Sequence, residues 1–245
     1  MSTKMIAYHG NKELKRSIIA ELEAHRAADR LVKGRYWENG KGCAVGCTIK
    51  SGNHALYESM YGIPRILARL EDVIFEKLPN TLSQHWPVRF MSSINVGADL
   101  SLVQWHLLGW IVRRANPTPD AVVQRVLDGL DLRAQGLAWP DAYSAANAAR
   151  ATAYAYAADA NFAVAAAVAA AYAASVAAAA DARADARAAD YAGVDAARAT
   201  AYTYAAVANL AADAADVANA ANADARKIFW GELADRMVRL LKDCK

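Results

Sequence analysis

The stretch 63-IPRILARLEDVIFEKL-78 decides how this chain reads. Ile66, Leu67, Leu70, Ile74 and Leu78 recur in steps of three and four, the spacing of one face of an α-helix. Pro64 stands at the first helical position, where its missing N–H is no loss, and Pro79 closes the run. Glu71, Asp72 and Glu76 lie among these apolar positions. They are a candidate set of paired carboxylates, although acids at helical spacing more commonly face water.

The same signals extend in both directions. Asn11 caps a helix expected over residues 12–32, with Glu13 in its first turn, Leu14, Ile18 and Leu22 on one face, and Gly34 past its end. A glycine-rich loop without helical period follows over residues 35–53, and a short helix then ends at Gly62. Downstream, helices are expected near 81–93, 99–115 and 119–135, separated by Val96-Gly97 and Asn116-Pro117. Strand signal is nearly absent. Residues 1–140 therefore read as a compact helical domain carrying one ordered loop.

Composition changes sharply at Pro140. All six prolines precede or occupy that position, whereas residues 141–226 hold a single glycine, Gly193, and alanine at about half of their positions. Alanine buries only a methyl, about 0.8 kcal/mol, but its helix propensity exceeds that of ordinary side chains by up to ~0.7 kcal/mol per residue. Long, closely packed helices are the expected result. Residues 149–163, ARATAYAYAADANFA, recur at 197–211 as ARATAYTYAAVANLA. The offset is 48, and the matches include Arg150/Arg198, Tyr154/Tyr202, Tyr156/Tyr204 and Asn161/Asn209. Either two long antiparallel helices, about 141–180 and 193–225, reverse around residues 180–193, or each repeat holds a helical pair; the lack of further Gly or Pro favours the first. Tyr143, Tyr154, Tyr191 and Tyr202 fall on one stripe, expected as the packing seam of this hairpin or bundle and able to supply a homodimer contact. Residues 227–243 read as a closing helix. The fold class is all-α, with domains at 1–140 and 141–245.

Charge narrows the function classes only modestly. The net charge of +3 divides into 18 basic against 13 acidic residues before position 141 and 10 against 12 after it, without the clustered basic stripe of a nucleic-acid binder. The charge-free run between Asp159 and Asp181 is long enough for a membrane span but is mostly alanine with acidic flanks, so no membrane segment is expected. Three cysteines and a polar N-terminus point to a reducing cytoplasm. No phosphate loop, dinucleotide fingerprint or HExxH is present, and no cofactor is expected.

Chemistry concentrates in 36-YWENGKGCAVGCTIKSGNH-54. In one reading Cys43 is a nucleophile at a helix start, its thiol activated by backbone amides and Lys41, with His54, His85 or His106 as base. In a second, Cys43, Cys47 and His54 are zinc ligands, with His25 or Asp29 as a fourth. In a third, both cysteines are buried packing residues. Tyr154, Tyr156, Tyr202 and Tyr204 form a candidate binding surface, since tyrosine anchors interfaces well.

From YWENGKGCAVGC to WPVRFMSSINVGADLS, about residues 5–105, the chain resembles a set of uncharacterised phage, prophage and bacterial proteins. That resemblance implies an accessory protein of a mobile element. The leading expectation is a non-enzymatic protein that binds a host protein or complex, including a defence complex. The alternative is a thiol-dependent hydrolase or transferase using Cys43 and His54.

Overall fold

The computed structural model describes residues 4–115, 117–141, 144, 145, 148 and 223–245. The protein is all-α: nine α-helices and one two-stranded sheet are present among these residues. The alanine-rich hairpin, its duplication and its tyrosine stripe fall outside the described residues. No helix among the described residues is long and apolar enough to cross a membrane.

The chain divides into two compact units, and the division does not follow composition. Thr3–Ser101 and Lys227–Lys245 make one unit; Leu102–Arg226, with Met1–Ser2, makes the other. Pro140 thus lies inside a unit, and the closing helix belongs with the N-terminal part.

In the first unit, α1 (Lys12–Ala27) starts where expected, with the Asn11 side chain accepting from the amides of Glu13 and Leu14. It stops five residues short of the expected end at 32. The backbone of residues 30–32 is instead taken up by Gly42, whose N–H donates to Arg30 O and whose carbonyl accepts from Val32. The loop that follows is ordered by two short strands, β1 (Trp37–Glu38) and β2 (Lys41–Gly42), paired antiparallel. Asn39 and Gly40 turn between them with φ of 51° and 76°, the left-handed pair that a type I′ hairpin needs. Next come α2 (Ala44–Ile49), wholly buried, and α3 (Leu56–Tyr61), which ends at left-handed Gly62 as its glycine predicts.

The predicted 63–78 helix is α4 (Arg65–Lys77), which buries Ile66, Leu67, Leu70, Ile74 and Phe75. Each contributes about 1.5–3 kcal/mol of transfer free energy. The short α5 (Asn80–Ser83) and α6 (Trp86–Ser93) follow, and α4 packs against α2, α3, α5 and α6. The C-terminal α9 (Ala223–Asp243) buries Phe229, Trp230, Leu233, Met237 and Leu241. Its end is held by Asn95, whose amide donates to the carbonyls of Lys242 and Cys244 at 2.9 Å each.

In the second unit, α7 (Val103–Ala115) packs on α8 (Ala121–Ala134), capped by Asp120. Arg113 pairs with Asp131 at 2.5 Å, and the Arg133 guanidinium lies 4.9 Å from the Trp105 ring centre.

Candidate functional site

Three glycines of the Cys43 loop, Gly42, Gly46 and Gly52, let Tyr36 pass. A Cβ on Gly46 would sit 1.3 Å from the Tyr36 carbonyl oxygen, and one on Gly42 would sit 1.9 Å from it. The Tyr36 ring covers Gly52 in the same way. Arg35 O accepts from Cys43 N at 2.8 Å, so the segment 35–36 is laid directly over the first turn of α2. The result is a cleft of about 360 Å³ lined by Gly34, Arg35, Tyr36, Cys43, Asp72 and Glu76.

Asp72 is the hub of this cleft. One oxygen, Oδ2, lies 3.3 Å from Nε2 of buried His54. The other, Oδ1, is buried with no donor in good hydrogen-bonding geometry, while the Cys43 thiol and the Tyr36 hydroxyl both reach this carboxylate. Tyr36 packs edge-on against the His54 imidazole, with ring centres 5.5 Å apart. One helical turn on, Glu76 accepts the Gly34 N–H through both oxygens, at 3.0 and 3.1 Å. The ligating atoms of Cys43, Asp72 and Glu76 all lie within 4.8 Å of one another.

Electrostatics follow from that crowding. Burial, then the Asp72 charge, drives the Cys43 thiol well up, against the smaller opposing effect of the Gly46 N–H that points at its sulfur. The Tyr36 hydroxyl is raised for the same first two reasons. Glu76 is raised by burial, while Gly34 and Lys33 pull it back and Asp72 adds to the rise.

These facts rearrange the residues expected from sequence. Cys43 does cap a helix, but burial and the Asp72 charge drive its thiol up, outweighing the amides of Gly46 and Val45 that would activate it. His54 comes near through Asp72 and makes no hydrogen bond to Cys43. His85 is exposed and bonds Arg26 at 2.7 Å. His106 is an exposed residue of α7.

The spacing-based zinc set does not converge. The Cys47 thiol donates to Gly42 O at 3.4 Å and approaches Arg30 O at 3.7 Å; it is a packing group inside α2, and burial pushes it up to about 11. His25 is buried beside Trp37 and 3.7 Å from Glu21, and Asp29 forms the left-handed turn after α1. Neither joins Cys43. The binding-surface tyrosines Tyr154, Tyr156, Tyr202 and Tyr204 lie outside the described residues.

Among the three acids of α4, sequence spacing left the assignment open and the structure divides them. Glu71 points into the core, fully buried, where Tyr57 donates to its Oε2 at 2.6 Å. Burial drives its carboxyl well up; the Tyr57 bond opposes this and the Asp72 charge adds to it. Asp72 and Glu76, four apart, share the cleft face. That i, i+4 spacing was the available signal for the pair.

No protein-family model, characterised relative or solved structure matches the chain.

Proposed function

We propose that the protein is a hydrolytic enzyme whose site is the cleft between α2 and α4. One observation carries this reading: the Asp72 carboxylate, braced by His54, shares a solvent-open cleft with Glu76, Cys43 and Tyr36. Groups able to take and give a proton thus converge on a cavity sized for a small ligand or a short segment of a larger one. In this reading Asp72 accepts a proton from a water molecule as its oxygen bonds to the carbonyl carbon of an ester or amide. Glu76, held toward its protonated form, gives its proton to the departing alcohol or amine as the old bond breaks. The proton left on Asp72 returns to Glu76 when the products leave. His54 positions the Asp72 carboxylate. Two such proton transfers are each worth about 10²–10⁴-fold.

The thiol-dependent reaction that the sequence offers as its alternative would need a Cys43 thiolate, which burial and the Asp72 charge both oppose. A direct test assays purified protein against chromogenic esters and amides. Asp72→Asn should lower kcat/KM by about 10²–10⁴-fold with the melting temperature retained, and Cys47→Ser should leave turnover unchanged. Absence of turnover, or turnover indifferent to Asp72→Asn, overturns this reading. The cytoplasmic partner-binding role implied by the phage resemblance then becomes the better one, and capture of a single host protein from lysate is its test.

A further inference from the structure

We propose that Cys43, Asp72 and Glu76 are the protein ligands of a divalent cation of the zinc class, with a fourth coordination position open to the cleft. This goes beyond the hydrolase reading: a bound cation would occupy the Asp72 and Glu76 oxygens that the reading uses as base and acid, so the site is tested independently of turnover.

The geometry is that of a site awaiting a small contraction. Zinc–sulfur bonds of about 2.3 Å and zinc–oxygen bonds of about 2.0–2.2 Å at tetrahedral angles place sulfur and oxygen roughly 3.6 Å apart. The three ligating atoms already lie within 4.8 Å of one another, so side-chain movements of about 1 Å close the set. One sulfur and two carboxylate oxygens form a mixed soft and hard donor set, which suits zinc or cobalt and not the all-oxygen shells of calcium or magnesium. Three protein ligands facing a cleft are the pattern of a catalytic zinc site, as opposed to the closed four-ligand shell of a structural one.

Two further observations point to a cation. Asp72 Oδ1 is buried with no donor in good hydrogen-bonding geometry, and the Cys43 thiol and Tyr36 hydroxyl reach the same carboxylate, so a cation would take the place of the thiol proton there. Each ligand is also oriented by a second group: Gly46 N–H to Cys43 at 3.5 Å, His54 to Asp72 at 3.3 Å, and Gly34 N–H to Glu76. Such outer bonds aim metal ligands and leave their remaining lone pairs free. Zinc binds cysteine as the thiolate, so binding should expel the thiol proton as the metal–sulfur bond forms.

Equilibrium binding to chelator-treated protein tests this without recourse to turnover. One equivalent of zinc should bind per chain and release at least one proton, read by calorimetry in buffers of different ionisation enthalpy. Cobalt(II) should give a thiolate charge-transfer band in the near ultraviolet. That band should vanish in Cys43→Ser and persist in Cys47→Ser. His54→Gln should bind zinc about 10–100-fold more weakly, as loss of an outer-shell partner does. If Cys43→Ser does not fold, Glu76→Gln is read instead, and its zinc affinity should fall by more than that of His54→Gln. The proposal is overturned by zinc binding no tighter than to an unrelated protein, by a band that survives Cys43→Ser, or by a band lost in Cys47→Ser. Metal bound without any turnover upholds this site and overturns the hydrolase reading; turnover by rigorously metal-free protein upholds that reading, and the binding result alone decides this site.

Discussion

Gly46→Ala isolates the packing that builds the cleft. The added methyl would lie 1.3 Å from the Tyr36 carbonyl oxygen and 2.3 Å from its carbonyl carbon. Ordinary contact begins at 3.4 Å, so the Tyr36 backbone must retreat by about 2 Å, since close-packed interiors accept little overlap. Helix α2 cannot yield instead, because Ala44, Val45, Cys47, Thr48 and Ile49 are buried around it. Retreat of Tyr36 breaks the 2.8 Å bond from Cys43 N to Arg35 O. Overpacking costs about 1–3 kcal/mol and the lost bond about 0.5–1.5 kcal/mol. Better helix propensity returns up to ~1 kcal/mol. The net cost spans about 0.5–4.5 kcal/mol with a centre of ~2.5 kcal/mol, and that central value is a fall in Tm of roughly 5–10 °C for a chain of this size. Gly34→Ala is the control: its φ of 78° strains alanine, but nothing lies within 4 Å of the new methyl, so only about 1–2 kcal/mol is lost. Urea and thermal denaturation of both variants decide the matter. A Gly46→Ala protein as stable as wild type, or less damaged than Gly34→Ala, refutes the account of how Tyr36 is seated.

The buried acid and the buried thiols give two further predictions. A carboxyl whose folded value is raised adds stability below its ordinary value of 4.5 and loses it as pH climbs toward the folded value. Relative to Glu71→Gln, wild type should therefore weaken above pH 4.5 by up to ~1.4 kcal/mol per unit; parallel stability curves for the two proteins in urea would contradict this. In metal-free folded protein at neutral pH, a thiol reagent should label Cys244 first, because Cys43 and Cys47 are nearly sealed from solvent and their thiols are driven up. Mass mapping that finds Cys43 labelled at the rate of free cysteine would refute it and revive the nucleophile.

Much of this architecture was legible because it rests on local rules. Apolar spacing marked α4, Asn11 marked the start of α1, and Gly62 marked the end of α3. The misses share one cause. Strands of two residues have no alternation to read, so the hairpin of β1 and β2 showed only in its Asn39-Gly40 turn. Residues 28–32 carry no Gly or Pro stop signal, and the chain leaves the helix there to bond Gly42 through Arg30 O and Val32 N. Likewise, spacing suggested that Cys43, Cys47 and His54 belong together, since they are near in sequence. The partner Cys43 meets in the cleft is instead Asp72, on a helix that reaches it only through the tertiary fold.

That meeting depends on how α4 is rotated, and the buried Glu71 helps to set it. Adjacent residues of a helix point about 100° apart, so a modest turn of α4 would carry Asp72 away from Cys43. The apolar face of Ile66, Leu67, Leu70, Ile74 and Phe75 fixes the rotation coarsely, since apolar contacts lack direction. Hydrogen bonds supply the direction. Tyr57 donates to the Glu71 carboxyl at 2.6 Å, and the Trp86 indole donates to the Glu71 carbonyl at 2.9 Å. Both bonds hold one residue of α4 from the core side, and the next residue is Asp72. A fully buried acid that burial alone would disfavour is thereby accounted for: it anchors the helix that presents Asp72 and Glu76 to the cleft.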